Sequence, residues 1–173
     1  KGGLLDPTEG VTDALKAALA AAFDESGRNL LKPNRRSQGP EVVETDIPLQ
    51  VMTADTWVDT VLAHPDTHVL VEYYDPNCPH CQKMQPVLEE IAKNSHGPGL
   101  VFAQIDVTEN DAPDWESPAG VPTLHFYAAK MPGETRLASD FVPFEGGPDQ
   151  SMLEGFLSTQ LGTTVEAAGK SEL

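Results

Sequence analysis

Residues 69–86 read VLVEYYDPNCPHCQKMQP, and they contain the strongest local signals for the fold of the chain. The first six residues are largely apolar and β-rich with a single glutamate, the pattern of a strand buried in the middle of a sheet. The letters DPN at 75–77 predict a turn, and the residues that follow predict a helix that runs to about Asn94. A Cys-x-x-Cys pair between a buried strand and a helix start is a strong signal for redox chemistry.

The two cysteines of the chain, Cys78 and Cys81, have a spacing that favours a stabilised thiolate. At a helix start the first sulfur faces unpaired N–H groups and the positive end of the helix dipole. Pro79 suits the first turn, where no N–H is needed, and His80 adds a partial or full positive charge beside the sulfurs. These effects predict an oxidising, easily reduced disulfide. A static disulfide and half of a metal site are the alternatives; no second Cys pair completes a zinc site.

The rest of the chain predicts alternating strands and helices around this stretch. The order is βαβαβ followed by ββα, which predicts an α/β fold with a central sheet flanked by helices. The last two strands are predicted to form a hairpin. Beyond the strand at 69–74, strands are predicted at 49–52, 100–107, 123–127 and 141–144, and helices at 12–23, 53–62 and 151–161. Between 28 and 48 lies a polar, proline-containing linker, whose basic letters KPNRR at 32–36 are interpreted as solvated rather than as a docking patch.

The composition of the 173 residues excludes two classes of partner. Lys and Arg number 11 against 27 Asp and Glu, a formal net charge of −16, so the chain has no general means of neutralising phosphates. The same charge argues against an anionic membrane surface, and no apolar run approaches the ~20 residues of a membrane span. We therefore predict neither a nucleic acid nor a membrane as partner. A low-affinity cation buffer is a weak alternative.

Residues 69–86 resemble the catalytic domain of a protein disulfide isomerase, within the thioredoxin superfamily, and the resemblance covers about residues 46–162. Glu72 lies six residues before Cys78, Pro86 lies five after Cys81, and the letters GVPT at 120–123 match the family's G-x-P-T. The resemblance implies a thioredoxin fold with a central mixed sheet. It also implies the formation, reduction and rearrangement of disulfide bonds in folding proteins, with no metal and no dissociable cofactor.

The resemblance also implies roles for individual residues. Cys78 would be the exposed nucleophile and Cys81 the resolving cysteine. Pro122 would be a cis proline lying against the sulfurs, and it would bring the backbone groups of Val121 to an extended substrate. A proline that opens a strand is restricted in the hydrogen-bond ladder, which makes a cis bond or a strand edge physically sensible there.

Two further side chains are assigned from their surroundings. Glu72 sits inside an apolar strand, so its pKa should be raised and it can take a proton from Cys81; a strand-edge glutamate that reaches solvent is the alternative. Trp115, in a proline-rich loop before Pro122, is equally consistent with an apolar substrate surface and with core packing. The histidines other than His80 are interpreted as solvated or loop residues.

The chain departs from the family at several positions of the site. Pro79 replaces the usual Gly, and Asn77 replaces the usual Trp. Cys-Pro-His-Cys with Val before the cis proline instead resembles the DsbA-type bacterial oxidants, so we hypothesise a domain tilted towards donating disulfides. Gln104 stands where the family has a lysine partner of the buried glutamate, and Pro148 where it has an arginine after the Gly pair.

The same resemblance places the chain within a longer protein. Residues 1–45 would be a helix and linker from the end of a preceding domain, 46–162 the catalytic domain, and 163–173 a tail. The chain starts at Lys1 without an initiator Met, which predicts a processed product or a fragment. The final letters KSEL, one residue from KDEL, predict the lumen of the endoplasmic reticulum, ahead of another oxidising compartment or a plastid.

The expected partners follow from this assignment. They are unfolded or partly folded proteins with thiols or disulfides, and a disulfide-recycling oxidase or glutathione. The alternative function is a structural or chaperone-like subunit of a larger assembly, in which redox activity is secondary.

Overall fold

The computed structural model describes residues 37–39, 48–95, 99–111 and 118–162 of the chain. Trp115, the helix predicted at 12–23, the basic letters at 32–36 and the tail at 163–173 lie outside the described residues. None of the helices in the described ranges is long and apolar enough to cross a bilayer. The elements are β1 (Leu49–Met52), α1 (Trp57–Val61), β2 (His68–Tyr74), α2 (Pro79–Ser95), β3 (Leu100–Asp106), β4 (Thr123–Tyr127), β5 (Phe141–Phe144) and α3 (Gln150–Leu161).

The five strands form one mixed sheet in the order β1-β3-β2-β4-β5. β1, β3 and β2 run parallel, whereas β4 is antiparallel to both β2 and β5. β2 is therefore central, and five of its seven residues are buried, as the apolar run predicts. The predicted α/β fold with a central mixed sheet flanked by helices is confirmed, and so is the hairpin of β4 and β5.

Alternation along the central strand divides the core into two layers. Leu70 of β2 belongs to the layer covered by α2 and α3, and Val69, Val71 and Tyr73 belong to the layer that contains α1. Because side chains alternate between faces with a period of two, Glu72 shares the face of Leu70 and points towards α2. The layer on this face includes Met84, Leu88 and Ile91 of α2, Phe102 of β3, Phe126 of β4, and Leu153 and Leu157 of α3.

Helix α1 is shorter than the sequence predicts. The sequence predicts a helix over 53–62, but α1 begins only at Trp57. The carbonyl of Thr53 accepts hydrogen bonds from the N–H groups of both Thr56 and Trp57, and the Thr56 hydroxyl accepts one from the Thr53 N–H at 2.9 Å. Local bonds of this kind to threonine side chains compete with helical ones, so the chain forms a turn before the helix starts.

The other predicted boundaries differ from the structure by single residues. β2 starts one residue earlier than predicted, β3 ends one residue earlier, and α2 extends one residue further, to Ser95. Differences of this size are usual, because the terminal turns of helices and strands are defined by only one or two hydrogen bonds.

A buried arginine joins the loop after α1 to the end of β4. Arg136 is 1% exposed and donates to the carbonyls of Val61 at 2.6 Å, Pro65 at 3.0 Å and Ala128 at 3.1 Å. It also donates to the carbonyl of Thr67. A guanidinium offers five donors in a fixed fork, so a single side chain satisfies four carbonyls from two segments of the chain.

Replacing Arg136 by Met is therefore expected to lower the free energy of unfolding by about 3 kcal/mol, because it leaves buried carbonyls without donors. Urea denaturation measures the change. Lys130→Met is the matched control: Lys130 forms a partly exposed ion pair with Asp140 at 2.9 Å, and its loss should cost no more than about 1 kcal/mol. Equal losses in the two variants would contradict the structural role of Arg136.

Candidate redox site

Cys78 lies at the point where the central strand passes into the longest described helix. After β2 ends at Tyr74, the Cys78 N–H donates to the carbonyl of Asp75 at 3.0 Å, which closes the predicted turn. The carbonyl of Cys78 accepts the first helical hydrogen bond, from the Gln82 N–H at 3.0 Å. Cys78 thus occupies the position from which a side chain can accept bonds from the free N–H groups of the first turn.

The first turn of α2 favours the thiolate form of Cys78. Hydrogen bonds from the backbone N–H and then the thiol of Cys81 lower the pKa of Cys78, and the backbone N–H of His80 lowers it further. Burial and the negative charge of Asp75 act in the opposite direction. Pro79 is the first residue of the helix and, like His80, is exposed.

Cys81 differs from Cys78 in exposure and in acidity. It lies one turn along α2, is 3% exposed, and burial raises its pKa to about 11. The hydrogen bond between the Cys81 thiol and Cys78 raises that pKa further, and so does the nearby Glu72. Both cysteines are free thiols in this structure. The pair therefore consists of an accessible sulfur that ionises readily and a buried sulfur that retains its proton.

The loop before β4 brings a backbone acceptor to the accessible sulfur. The peptide bond between Val121 and Pro122 is cis. The Cys78 thiol donates to the carbonyl oxygen of Val121 at 3.7 Å, across 43 positions of sequence. On the far side of the proline, the Thr123 hydroxyl donates to the carbonyl of Gly120 at 2.7 Å. The backbone of Val121, at the cis bond to Pro122, thus lies beside Cys78.

Glu72 is buried under the helix that carries the Cys pair. Its side chain is 1% exposed, so the alternative of a glutamate that reaches solvent is wrong. Neither carboxyl oxygen has a hydrogen-bond partner, and burial raises the pKa of Glu72 to about 8. Its partner in the register of β2 and β3 is Gln104. Because Glu72 contributes to the raised pKa of Cys81, the two acids interact electrostatically.

The sequence interpretation misses two residues, Asp75 in the turn before Cys78 and His125 in β4. Asp75 is predicted only as part of a turn, although its negative charge also opposes ionisation of Cys78; the letters DPN, typical of a turn closed by an Asp side chain, are the available signal. His125 is interpreted as a solvated residue, but it is 6% exposed and stacks on Phe141 with ring centroids 3.8 Å apart. Burial lowers its pKa to about 4. Its place in the apolar strand TLHFY signals burial.

Asp75→Asn is expected to lower the pKa of Cys78. The carboxylate accepts the Asn77 N–H at 2.7 Å, and an Asn side-chain oxygen can accept the same bond, so the substitution removes charge while preserving the turn. The effect should be modest, well under tenfold in thiolate fraction, and larger at low salt, since the turn is exposed to solvent. Ultraviolet absorbance of the thiolate against pH measures it.

The matched control for this charge change is Glu90→Gln, at an exposed position of α2 far along the helix from Cys78. It removes the same charge but should leave the pKa of Cys78 unchanged. An equal shift in both variants would attribute the effect to net charge rather than to Asp75.

Within the described ranges, no group of three or more His, Cys, Asp or Glu side chains is placed to hold a metal ion. Of the other sequence-predicted residues, Pro148 is exposed in the loop before α3, and Trp115 lies outside the described residues. The side chains that the fold does bring together can attack a sulfur, retain a proton on a second sulfur, and accept a proton on a buried carboxylate.

Comparisons with known proteins agree with this geometry. The family model for thioredoxin matches residues 48–139. Protein disulfide-isomerase A4 of Homo sapiens is 34% identical over 168 residues, which cover 94% of this chain and 24% of the human protein. Protein disulfide isomerase-like 1-1 of Arabidopsis thaliana is 34% identical over 66% of this chain and 24% of the plant protein. Protein disulfide-isomerase of Hordeum vulgare is 32% identical over 82% of this chain and 26% of the barley protein. The chain thus spans about a quarter of the length of these relatives.

Proposed function

The chain belongs to the thioredoxin family, and from that membership we propose that it forms, reduces and rearranges disulfide bonds in folding proteins through Cys78 and Cys81. The observation that carries the proposal is the asymmetry of the pair. Cys78 is accessible at a helix start with a lowered pKa, whereas Cys81 is buried with its pKa raised to about 11. A thiolate is the attacking species in exchange, so this asymmetry supports Cys78 as the attacking cysteine and Cys81 as the resolving one.

In the oxidising direction, a substrate thiolate attacks the sulfur of Cys78 in the Cys78–Cys81 disulfide. The new intermolecular S–S bond forms as the internal one breaks, and the electron pair leaves on Cys81. A second substrate thiolate then attacks the substrate sulfur of the mixed disulfide and displaces Cys78. The substrate has lost two electrons, and the Cys pair is left as a dithiol, which a disulfide-recycling oxidase or oxidised glutathione returns to the disulfide.

In the isomerising direction, the thiolate of Cys78 attacks an incorrect disulfide and releases one substrate sulfur. If the substrate does not rearrange its own disulfides, the Cys81 sulfur can attack the Cys78 sulfur and release the substrate. For this step Cys81 must lose its proton, and Glu72 is the acceptor that we assign. This assignment is supported by its burial, by its raised pKa, and by its electrostatic interaction with Cys81.

Val121 and Pro122 are the proposed substrate-binding residues. The contact between Cys78 and the Val121 carbonyl supports this role, because an extended substrate that reaches the sulfur must pass the same backbone. Trp115 remains a predicted part of the apolar surface for unfolded chains.

Pro79 and His80 are proposed to bias the pair towards donating disulfides. The N–H groups at the helix start already stabilise the thiolate of Cys78, and stabilising the reduced form makes a disulfide more oxidising. Equilibration of the pair with glutathione buffers measures its reduction potential. We expect a value more positive than about −200 mV, and a thioredoxin-like value near about −270 mV would overturn the bias.

The setting of the domain is proposed from the same family resemblance. Residues 46–162 would be a catalytic domain preceded by the helix and linker of 1–45, with 163–173 as its tail. The letters KSEL at its end support the lumen of the endoplasmic reticulum as the compartment. A secreted reporter that carries residues 163–173 should be retained in cells, and the same reporter without the last four should be secreted; equal secretion would contradict this setting.

The test of the function itself is oxidative refolding of a reduced, unfolded protein that needs its disulfides for activity. The oxidised chain, with oxidised glutathione present to recycle it, should restore that activity faster than the glutathione buffer alone. Equal rates with and without the chain would overturn the proposed function.

A further inference from the structure

Two neighbouring side chains under the Cys pair contain three buried oxygen atoms without hydrogen-bond partners. These are Oε1 and Oε2 of Glu72 and Oε1 of Gln104. Glu72 is 1% exposed and Gln104 8% exposed. The two residues are direct partners in the parallel register of β2 and β3, so their side chains leave the same face of the sheet from backbones about 4.8 Å apart.

A hydrogen-bond donor is what these three atoms lack. An ionised carboxylate accepts only, and the amide oxygen of a glutamine accepts only. A protonated carboxyl group, by contrast, offers one O–H donor. Protonation of Glu72 therefore turns one of the three unsatisfied acceptors into a donor and gives the amide oxygen a partner, without any added group.

We propose that Glu72 carries a proton in the dithiol protein at neutral pH and donates it as a hydrogen bond to the amide oxygen of Gln104. Gln104 is thus a positioning residue that sets the pH at which Glu72 can accept the proton of Cys81. The inference rests on the proposed function for its consequence in turnover. The hydrogen bond itself is measurable without any turnover.

The groups around the pair favour the neutral form of Glu72. Cys81 faces it from α2, Tyr74 lies on the same face of β2, and Asp106 lies two residues beyond Gln104 on β3. All three are acids, so none of them brings a positive charge that would stabilise the ionised carboxylate, and burial itself raises the pKa of Glu72. β4 and α3 complete this face with apolar side chains, namely Leu124, Leu153 and Leu157.

A consequence for the exchange cycle follows from this hydrogen bond. To assist resolution, the ionised form of Glu72 must take the proton of Cys81: an S–H bond breaks, an O–H bond forms, and the electron pair remains on sulfur. While the hydrogen bond to Gln104 stabilises the neutral form of Glu72, only a small fraction of Glu72 is ionised. Escape through Cys81 should therefore be slow at neutral pH and accelerate as pH rises, which leaves time for the substrate to complete its own exchange.

The first experiment detects the proton and its acceptor in the whole chain. Carbon-13 labelling of glutamate and infrared titration follow the Glu72 carboxyl, with Glu72→Gln used to assign its band. We expect ionisation centred near pH 8, and a midpoint below about pH 6 would overturn the proposal. In Gln104→Leu at low pH the C=O stretch should move to higher frequency, because the O–H loses its acceptor. An unchanged frequency would place the proton on another acceptor, such as a buried water, and would equally overturn it.

The second experiment tests whether residue 104 sets the pH dependence. In Gln104→Lys, a cation beside Glu72 should move both the carboxyl titration and the pH profile of Cys81-dependent resolution down by about 1 to 3 pH units. Gln50→Lys is the matched control, because it makes the same change at an exposed position of β1 and should move neither curve. If the titration moves but resolution does not, Gln104 does not act through the Cys81 step.

The two proposals fail in distinguishable ways. The infrared titration reports the proton on Glu72 even in a chain that catalyses no exchange, whereas oxidative refolding reports the function even if Glu72 ionises normally. If the chain refolds substrates but the titration midpoint of Glu72 lies below about pH 6, only the proposed hydrogen bond between Glu72 and Gln104 is contradicted.

Discussion

Cys78→Ser should reduce both oxidative refolding and disulfide rearrangement to the rate seen without the protein. The accessible sulfur forms the first bond to substrate, and a hydroxyl group can neither form a disulfide nor ionise near neutral pH. The substitution is nearly isosteric and the position is partly exposed, so the midpoint of thermal unfolding should change little. Loss of catalysis with unchanged unfolding therefore identifies a chemical role rather than a structural one.

Cys81→Ser is the informative partner of this variant, because the same mechanism predicts a different failure. Cys78 should still attack a substrate disulfide, but the intermediate then lacks its internal route of escape. Mixed disulfides should accumulate and be visible by non-reducing electrophoresis after acid quenching. If Cys78→Ser trapped substrate and Cys81→Ser did not, the roles assigned from burial and pKa would be reversed.

Glu72→Gln should stabilise the protein at alkaline pH while impairing resolution by Cys81. Burial raises the pKa of Glu72 from 4.5 to about 8, so the folded chain binds more protons than the unfolded chain between these values. The contribution of Glu72 to stability is thus fully present below pH 4.5 and is lost as pH rises through 8. Over that window the variant should gain about 4 kcal/mol relative to the parent.

Urea denaturation at a series of pH values measures this gain as a difference that grows with pH. Glu89→Gln is a suitable control, since Glu89 is a partly exposed residue of α2 and the same replacement there should give a difference independent of pH between 5 and 8, to within about 0.5 kcal/mol. A flat difference for Glu72→Gln would mean that the carboxyl ionises normally in the folded chain. Such a stabilisation paired with slower turnover is expected where function requires a buried charge.

The central part of the fold was predictable because its signals are local. The apolar run before the cysteines predicts a buried strand, and β2 is the central strand of the sheet. The helix after the pair and the hairpin of β4 and β5 were likewise predicted to within a residue or two. The start of α1 was not, because the threonine side chains at 53–56 form local hydrogen bonds that compete with helical ones.

Two side chains whose surroundings were not predicted, Arg136 and His125, have partners distant in sequence. Arg136 reads as an ordinary surface residue in a polar segment, yet its four acceptors lie between Val61 and Thr67 and at Ala128. His125 lies in an apolar strand, but the rings that pack against it, Phe141 and Tyr73, come from other strands of the sheet. Spacing along the chain contains no information about such contacts.

The order of residues is enough to specify the chemistry available to the chain: two cysteines at helical spacing, a strand before them, a helix after them, and a glutamate six residues upstream. The folded arrangement of the strands and helices sets the acidity and the contacts of these groups. It placed the Val121 carbonyl 3.7 Å from the Cys78 sulfur and made Gln104 the neighbour of Glu72. It also gave two identical thiols pKa values displaced in opposite directions. The physical reason is that ionisation depends on burial and on nearby dipoles, and both are properties of the assembled core.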